Sequence, residues 1–382
     1  MSPSLDLKEV VEAAFRHNPT VEAVRARRGE AEALKRQADS FIAGDAVISV
    51  DHHDDRGTTR KGYQEWDSGL TLPIWLPGQR DARHRVAERT GQAAVAAERQ
   101  LRHAVAGMVR EGLWRIALLE NAVTSAKAEW EATAKLAADV RRRVELGDMA
   151  RIDLLLAEQE TLDRRAIVVR AQEDHWHAIH NYQIFTGLEA LPRDHRESQA
   201  AVKDVTPSHP ALLDAGASRE VARARRDLAQ RERSANPTVL LGSKHEMGAY
   251  GDTWTNSLVM EVHVPLGLPS QAAPRIATSE RELAETDGEY EKRWREIRLA
   301  IDGAAHEIHT VAQEADLAKR QAGLAAEHLR MARQAFALGE SDLVSLVRVQ
   351  KATFAAERRL QQKLIEQGLA VARYNQAVGE IP

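Results

Sequence analysis

The chain is 382 residues long, with 53 basic against 57 acidic side chains, a formal charge of −4 at pH 7 and no Cys. A balance so near zero gives no support to a strongly basic nucleic-acid binder. Without Cys there is no disulfide framework, thiolate zinc site, iron–sulfur cluster or thiol nucleophile. No apolar run reaches the about 18 residues that a membrane-spanning helix needs, and aromatics make up only 4% of residues, a composition suited to long helices. The opening MSPSLDLKEV lacks the basic-then-apolar pattern of a secretion signal, so an exported form would carry its signal ahead of it.

In chain order, residues 19–40 carry helix formers with no internal Pro, which predicts a helix. Segments 46–52 (AVISVDH) and 65–74 (EWDSGLTLPI) change to a period of two: Ile48 and Val50 alternate with Ser49 and Asp51, and Trp66, Leu70, Leu72 and Ile74 with Glu65, Asp67 and Thr71. That is a strand with one apolar and one wet side. Residues 79–145 contain no Pro. Leu101, Val105, Met108, Gly112, Ile116, Leu119, Val123, Ala126 and Trp130 recur there at spacings of three and four, as one face of a coiled-coil-like helix, about 100 Å long at 1.5 Å per residue. Gly147 interrupts the pattern, which resumes over 148–186; Gly suits the left-handed turn that ends a helix.

The same order then recurs. Pro19 and Pro210 lie 191 residues apart, while Pro73 and Pro265, Gly147 and Gly339, Tyr182 and Tyr374, and Gly187 and Gly379 are each 192 apart. These landmarks predict a tandem duplication whose period is too long for a solenoid. The first repeat, 1–191, is expected to hold a helix, strands about 45–53 and 64–75 and a helical hairpin over 79–187. The second, 192–382, is expected to hold a helix over 208–235, strands about 237–248 and 255–266 and a hairpin over 275–379. In 238–247 and 257–266, Val239, Leu241, Leu258, Met260, Val262 and Val264 oppose Lys244, Glu246, Glu261 and His263. Ten-residue segments of this kind match strands of a membrane barrel, with Trp66, Trp75, Tyr250 and Trp254 near their ends as an interfacial girdle. Four strands cannot close a barrel alone, so several chains would have to contribute. Two hairpins packed on the helices of a soluble protein are the other reading.

The order of parts resembles the TolC-type outer-membrane factor family over essentially the whole chain. The resemblance rests on the opening Leu5-Asp6-Leu7, Ala13-Ala14-Phe15 and Asn18-Pro19, the strand exit from Leu72 to Gly78, the two Leu-Gly-acid turns, and the closing Ala372-Arg373-Tyr374-Asn375 and Gly379. It implies a mainly α fold with a small β part: long α-helical hairpins forming a periplasmic tunnel, and four strands per chain joining a trimeric, twelve-stranded transmembrane β-barrel. It also implies a homotrimer in outer-membrane lipid that exports cargo passively, with a periplasmic adaptor and an inner-membrane resistance-nodulation-division pump as partners and no cofactor. Residues 188–207 and the N-terminal helix would form a belt around the tunnel. Leu146, Gly147, Asp148, Leu338, Gly339 and Glu340 would be the tips that the adaptor grips. Aligned on Gly339, the positions where relatives carry acids at the closed end are Ser345 and Arg348, a departure from the family pattern. Asp342 and Asp153 are the acids nearby, and Arg348 is expected to pair with Asp153 in the gate. The Pro-Gly-Gln-Arg-Asp-Ala-Arg run at 77–83 is nearer the heavy-metal efflux branch than the drug-efflux branch, which would make a metal cation the cargo.

Fifteen His invite a metal reading. His306 and His309, like His177 and His180, are three apart and share a helix face, and His52-His53 ends a strand in an expected external loop. No H-E-x-x-H spacing accompanies any pair, so no defined metal site is expected and His306, His309, His177 and His180 stand only as weak candidates. Phosphate loops and nucleophile elbows are absent too, and the chain reads as no enzyme. The alternatives are a drug-efflux or type I secretion duct of the same family and, from another class, a soluble coiled-coil scaffold.

Overall fold

The structure is a computed structural model that describes residues 5–382. Its elements are α1 (Leu7–His17), α2 (Thr20–Asp39), β1 (Val47–Asp54), β2 (Gln64–Pro73), α3 (Gln79–Glu145), α4 (Arg151–Thr186), α5 (Pro210–Arg231), β3 (Thr238–Met247), β4 (Thr255–His263), α6 (Pro269–Ala337) and α7 (Leu343–Ala377). The order helix, strand, strand, long helix, helix occurs twice after α1. No helix among the described residues is long and apolar enough to cross a membrane.

Local chemistry sets the boundaries. Asp6 and Glu9 form a reciprocal capping box at the start of α1. Asn18, held extended ahead of Pro19, ends α1 and turns its Oδ1 to the Thr20 N–H at 2.9 Å, capping α2. α5 begins with Pro210 at its first position, where the missing N–H costs nothing, and stops at Arg231, short of the expected 235. β4 stops at His263 rather than 266, because Pro265 cannot donate to a ladder. α6 begins at Pro269, not 275, and carries Pro274 inside it. Pro274 and Ser270 are exposed, so water can serve the carbonyl that loses its helical partner.

The chain divides into two compact units that cut across the two sequence halves. One comprises 1–21, 99–211 and 294–382; the other comprises 22–98 and 212–293. In the first, Val10, Val11, Ala14 and Phe15 of α1 pack with Val105, Val109, Leu113 and Ile116 of α3 and with Ala178 and Tyr182 of α4. Burying each Val, Leu, Ile or Phe side chain here stabilises by about 1.5–3 kcal/mol. Met108, placed by periodicity on the same seam as Val105, is instead half-exposed. The irregular segment 188–207 is tied down by polar contacts. Tyr182 donates to the Ala190 carbonyl, Tyr374 to that of Val202 and Asn375 Nδ2 to that of Ser198. Arg110, almost fully buried, grips Glu197 through two hydrogen bonds of 2.7 and 2.8 Å.

The second unit holds an antiparallel sheet in the order β1-β2-β3-β4. Ile48 pairs with Leu70, Leu70 with Leu241 and Leu241 with Met260; Leu72 pairs with Val239 and Val239 with Val262. These rows share one face. β1 and β4 pair with nothing further among the described residues.

Candidate functional site

The hairpin turns end in the same geometry. At the first, the Gly147 N–H donates to Val144 O and the Asp148 N–H to Arg143 O; at the second, Gly339 donates to Phe336 O and Glu340 to Ala335 O. Both are Schellman caps, with the two glycines at φ 84° and 77°. Leu146 and Leu338, one residue ahead of each Gly, are 70% and 66% exposed, an apolar side chain at each turn left uncovered among the described residues. Behind the turns, Ala137 and Val140 of α3, Ala157 of α4 and Leu343 and Val347 of α7 form one cluster, joined by Phe336. The two tips are therefore packed as a pair.

Asp342 caps α7, accepting from the Ser345 N–H at 2.7 Å. The hydrogen bonds from Ser345, with the nearby Arg348 charge, hold its carboxyl below the usual carboxylate range. Asp153 sits in the first turn of α4. The expected Arg348–Asp153 ion pair does not form within the chain. Leu343, Leu346 and Val347 are the buried face of α7, and Arg348 is turned out to solvent.

The helices carry a buried ionic knot that the sequence reading did not single out. Glu129 of α3, 4% exposed in its side chain, accepts from Arg164 of α4 at 2.8 Å and from Arg358 of α7. Arg164 also donates to Glu160 at 2.8 Å, and Glu160 takes Lys351 of α7 at 2.5 Å. Burial pushes the Glu160 carboxyl up, but Lys351 and Arg164 hold it net below its ordinary value.

The sheet has two unlike faces. Ile48, Val50, Trp66, Leu70, Leu241, Leu258, Met260 and Val262 occupy one face and are exposed, Leu258 at 94%. Asp51, His53, Glu65, Asp67, Lys244 and Glu246 occupy the other. Across the strands Asp51 faces Asp67 and Asp67 faces Lys244, while His53 faces Glu65 and Glu65 faces Glu246. Lys244 Nζ reaches Glu65 at 3.0 Å and Glu246 at 3.3 Å. A sheet that met water on one side and a core on the other would hide its apolar face; here that face has no cover.

Of the four aromatics expected at strand ends, Trp66, Tyr250 and Trp254 lie toward the end of the sheet that carries the 55–63 and 248–254 connections, and all are exposed. The Tyr250 N–H donates to Lys61 O at 3.0 Å, joining the two loops. Trp75, at the opposite end, is half-buried, its Nε1 donating to Ser40 O at 3.0 Å and Arg83 lying 5.4 Å from its ring.

Neither expected His pair gains a third ligand among the described residues. Trp176 packs against both His177 and His180, and His309 hydrogen-bonds Gln313; His306 joins no cluster either. His52 and His53 lie inside β1 rather than in a loop. His52 stacks on Trp66 at 4.0 Å, whereas His53 meets Glu65 and Asp67 on the polar face. Alternation alone puts Glu65 and Asp67 together, but placing His53 beside them requires the β1–β2 register, which the sequence does not supply.

No protein-family model matches the chain, and no curated protein is similar to it in sequence. Solved structures are similar in fold. CusC, described in connection with transmembrane channel formation, has a TM-score of 0.78 at 14% identity, over 98% of this chain and 92% of that one. The outer membrane protein VceC from Vibrio cholerae gives 0.78 at 14%, over 98% and 97%. The open-state MtrE outer membrane channel of Neisseria gonorrhoeae gives 0.72 at 13%, over 98% and 88%. The chain has the TolC-like outer-membrane factor fold.

Proposed function

We propose that the chain is one of three identical subunits of a passive exit duct in the outer membrane, carrying cargo outward from an inner-membrane pump. The observation that supports this most is the sheet, with its apolar face uncovered, its charged face opposite and its two edges open. Hydrocarbon would cover that apolar face, and there every backbone N–H and C=O must be paired. Four strands leave two unpaired edges, so closure needs further copies, and three give twelve strands. The charged face then lines a wet lumen. The halves 1–191 and 192–382 are duplicates in this reading, each supplying two strands and one hairpin.

The helical hairpins form the tunnel wall in the periplasm. The turns at 146–148 and 338–340 are where a periplasmic adaptor docks, because Leu146 and Leu338 offer apolar contact on rigid caps. Asp153, Asp342, Ser345 and Arg348 line the tunnel's end, where Arg348 pairs with an acid of a neighbouring subunit. The duct does no chemistry and needs no cofactor. A resistance-nodulation-division pump supplies the driving force, and transition-metal cations are the cargo.

Single-channel recording of the purified protein in planar bilayers, with its mass measured in detergent, tests the reading. A trimer that opens discrete conductances is expected. A water-soluble monomer that neither partitions into detergent nor conducts would overturn the duct in favour of a soluble scaffold.

A further inference from the structure

We propose that His53, Glu65 and Asp67 form a weak, readily exchanging site for a divalent first-row transition-metal cation on the polar face of the sheet. The three residues each offer one ligand atom, and these atoms all lie within 4.8 Å of one another. Ligands held at about 2.0–2.2 Å around a cation stand roughly 3 to 3.6 Å apart, so small side-chain rotations complete the set. The backbone already fixes the arrangement. His53 is directly opposite Glu65 in the β1–β2 register, and Asp67 is two residues along the same strand, so the pleat places all three on one face. Glu65 is nine-tenths buried, which limits the positions that its carboxylate can take.

The donor set names the class of ion. One imidazole and two carboxylates suit Zn²⁺, Co²⁺, Ni²⁺ or Mn²⁺; with no thiolate or thioether in the cluster, a soft ion such as Cu(I) is disfavoured. Three protein ligands leave coordination positions to water, the arrangement of a site that exchanges rather than stores. The neighbouring ammonium makes it weaker still. Lys244 Nζ lies 3.0 Å from Glu65 and holds that carboxylate between visits, so an entering cation displaces a tethered positive charge. A duct needs this balance, with binding strong enough to admit an ion and weak enough to release it. The position of the site in a lumen rests on the duct reading; its existence on the sheet does not.

The test is Co²⁺ titration of the purified full-length chain in detergent, read by the visible ligand-field absorption, with bilayer conductance measured on the same preparations. One saturable Co²⁺ per chain is expected. His53→Gln, at an exposed strand position, weakens it by about tenfold or more through loss of the only nitrogen donor. Lys244→Met tightens it, a gain that misfolding cannot produce, and His306→Ala leaves it unchanged. Equal Co²⁺ affinity in His53→Gln, or no gain in Lys244→Met, overturns the site even if the channel conducts. Affinity lost in His53→Gln and raised in Lys244→Met upholds the site even in a protein that opens no channel, a result that would overturn the duct alone.

Discussion

At the scale of single residues, the environment of His209 converts burial into pH dependence. The residue is 4% exposed, and its ring lies 5.3 Å from that of His103 and accepts the Ala211 N–H on Nδ1 at 3.2 Å, so a proton on Nδ1 would break the cap of α5. Burial, with the charge of a protonated His103 beside it, lowers its pKa from 6.5 to about 4. His103 is lowered too, by burial and by Arg110, although its hydrogen bond to Gln376 O opposes this. Between pH 4 and 6.5 the unfolded chain therefore binds more protons than the folded one. The stabilisation is complete above pH 6.5 and is lost as pH falls toward 4, by at most about 3 kcal/mol for His209. Melting temperature followed from pH 7 to pH 4 should fall across that window. His209→Asn, which keeps an acceptor for Ala211, should flatten the fall; an unchanged slope would remove His209 as its source. Nothing in the sequence marks this His among its neighbours, because its burial depends on α3 and on the chain's last turn. Gly147 and Gly339 were legible for the opposite reason: a left-handed cap is written in two adjacent residues and needs no tertiary context.

Among the elements, the strands were readable because alternation is local; most ends moved by one or two residues, and the largest shift, at the end of β4, falls where Pro265 intervenes. Pro274 misled in the other direction, since an exposed helix turn tolerates a missing hydrogen bond when water reaches the free carbonyl. The Glu129 knot was not readable. Of the many acids on the long helices, only the packing of α4 and α7 against α3 determines which one is buried. Removing one partner from such a cluster leaves charge without its counter-ion and costs more than a surface pair. Glu129→Ala should destabilise the chain by about 3 kcal/mol, the lower end of the range for buried pairs, because Arg358 remains partly in water and Arg164 keeps Glu160. Denaturant unfolding of Glu129→Gln, Arg164→Gln and the double variant gives the coupling directly. A coupling above about 1 kcal/mol is expected, and a value within about 0.5 kcal/mol of zero would show that the Glu129–Arg164 pair does not help to hold α4 against α3.

For the whole molecule, the decisive feature is apolar surface that one chain cannot cover. On α4, Leu155, Leu162, Val169 and Trp176 recur every seven residues and are each more than half exposed; on α6, Leu317, Leu324 and Met331 do the same at half or more. The sequence shows heptads but not their partners, since stripes that pack within a chain and stripes that pack between chains have one spacing. Val105 and Ile116 of α3 lie buried inside the chain, whereas the α4 and α6 stripes face outward. A strict seven-residue repeat wraps left-handed around a neighbouring helix, and in the proposed trimer that neighbour would be a second copy. Leu162→Glu with Leu324→Glu therefore separates assembly from folding. Both side chains are exposed in the single chain, so helix content by circular dichroism should stay as it is, whereas the mass in detergent should fall from trimer toward monomer and channel events should vanish. Val105→Glu, by contrast, buries a charge in the chain's own core and should lower stability whatever the assembly. If the doubly charged variant remains a conducting trimer, the outward stripes are not the seams between copies, and the strands alone must hold the three chains together.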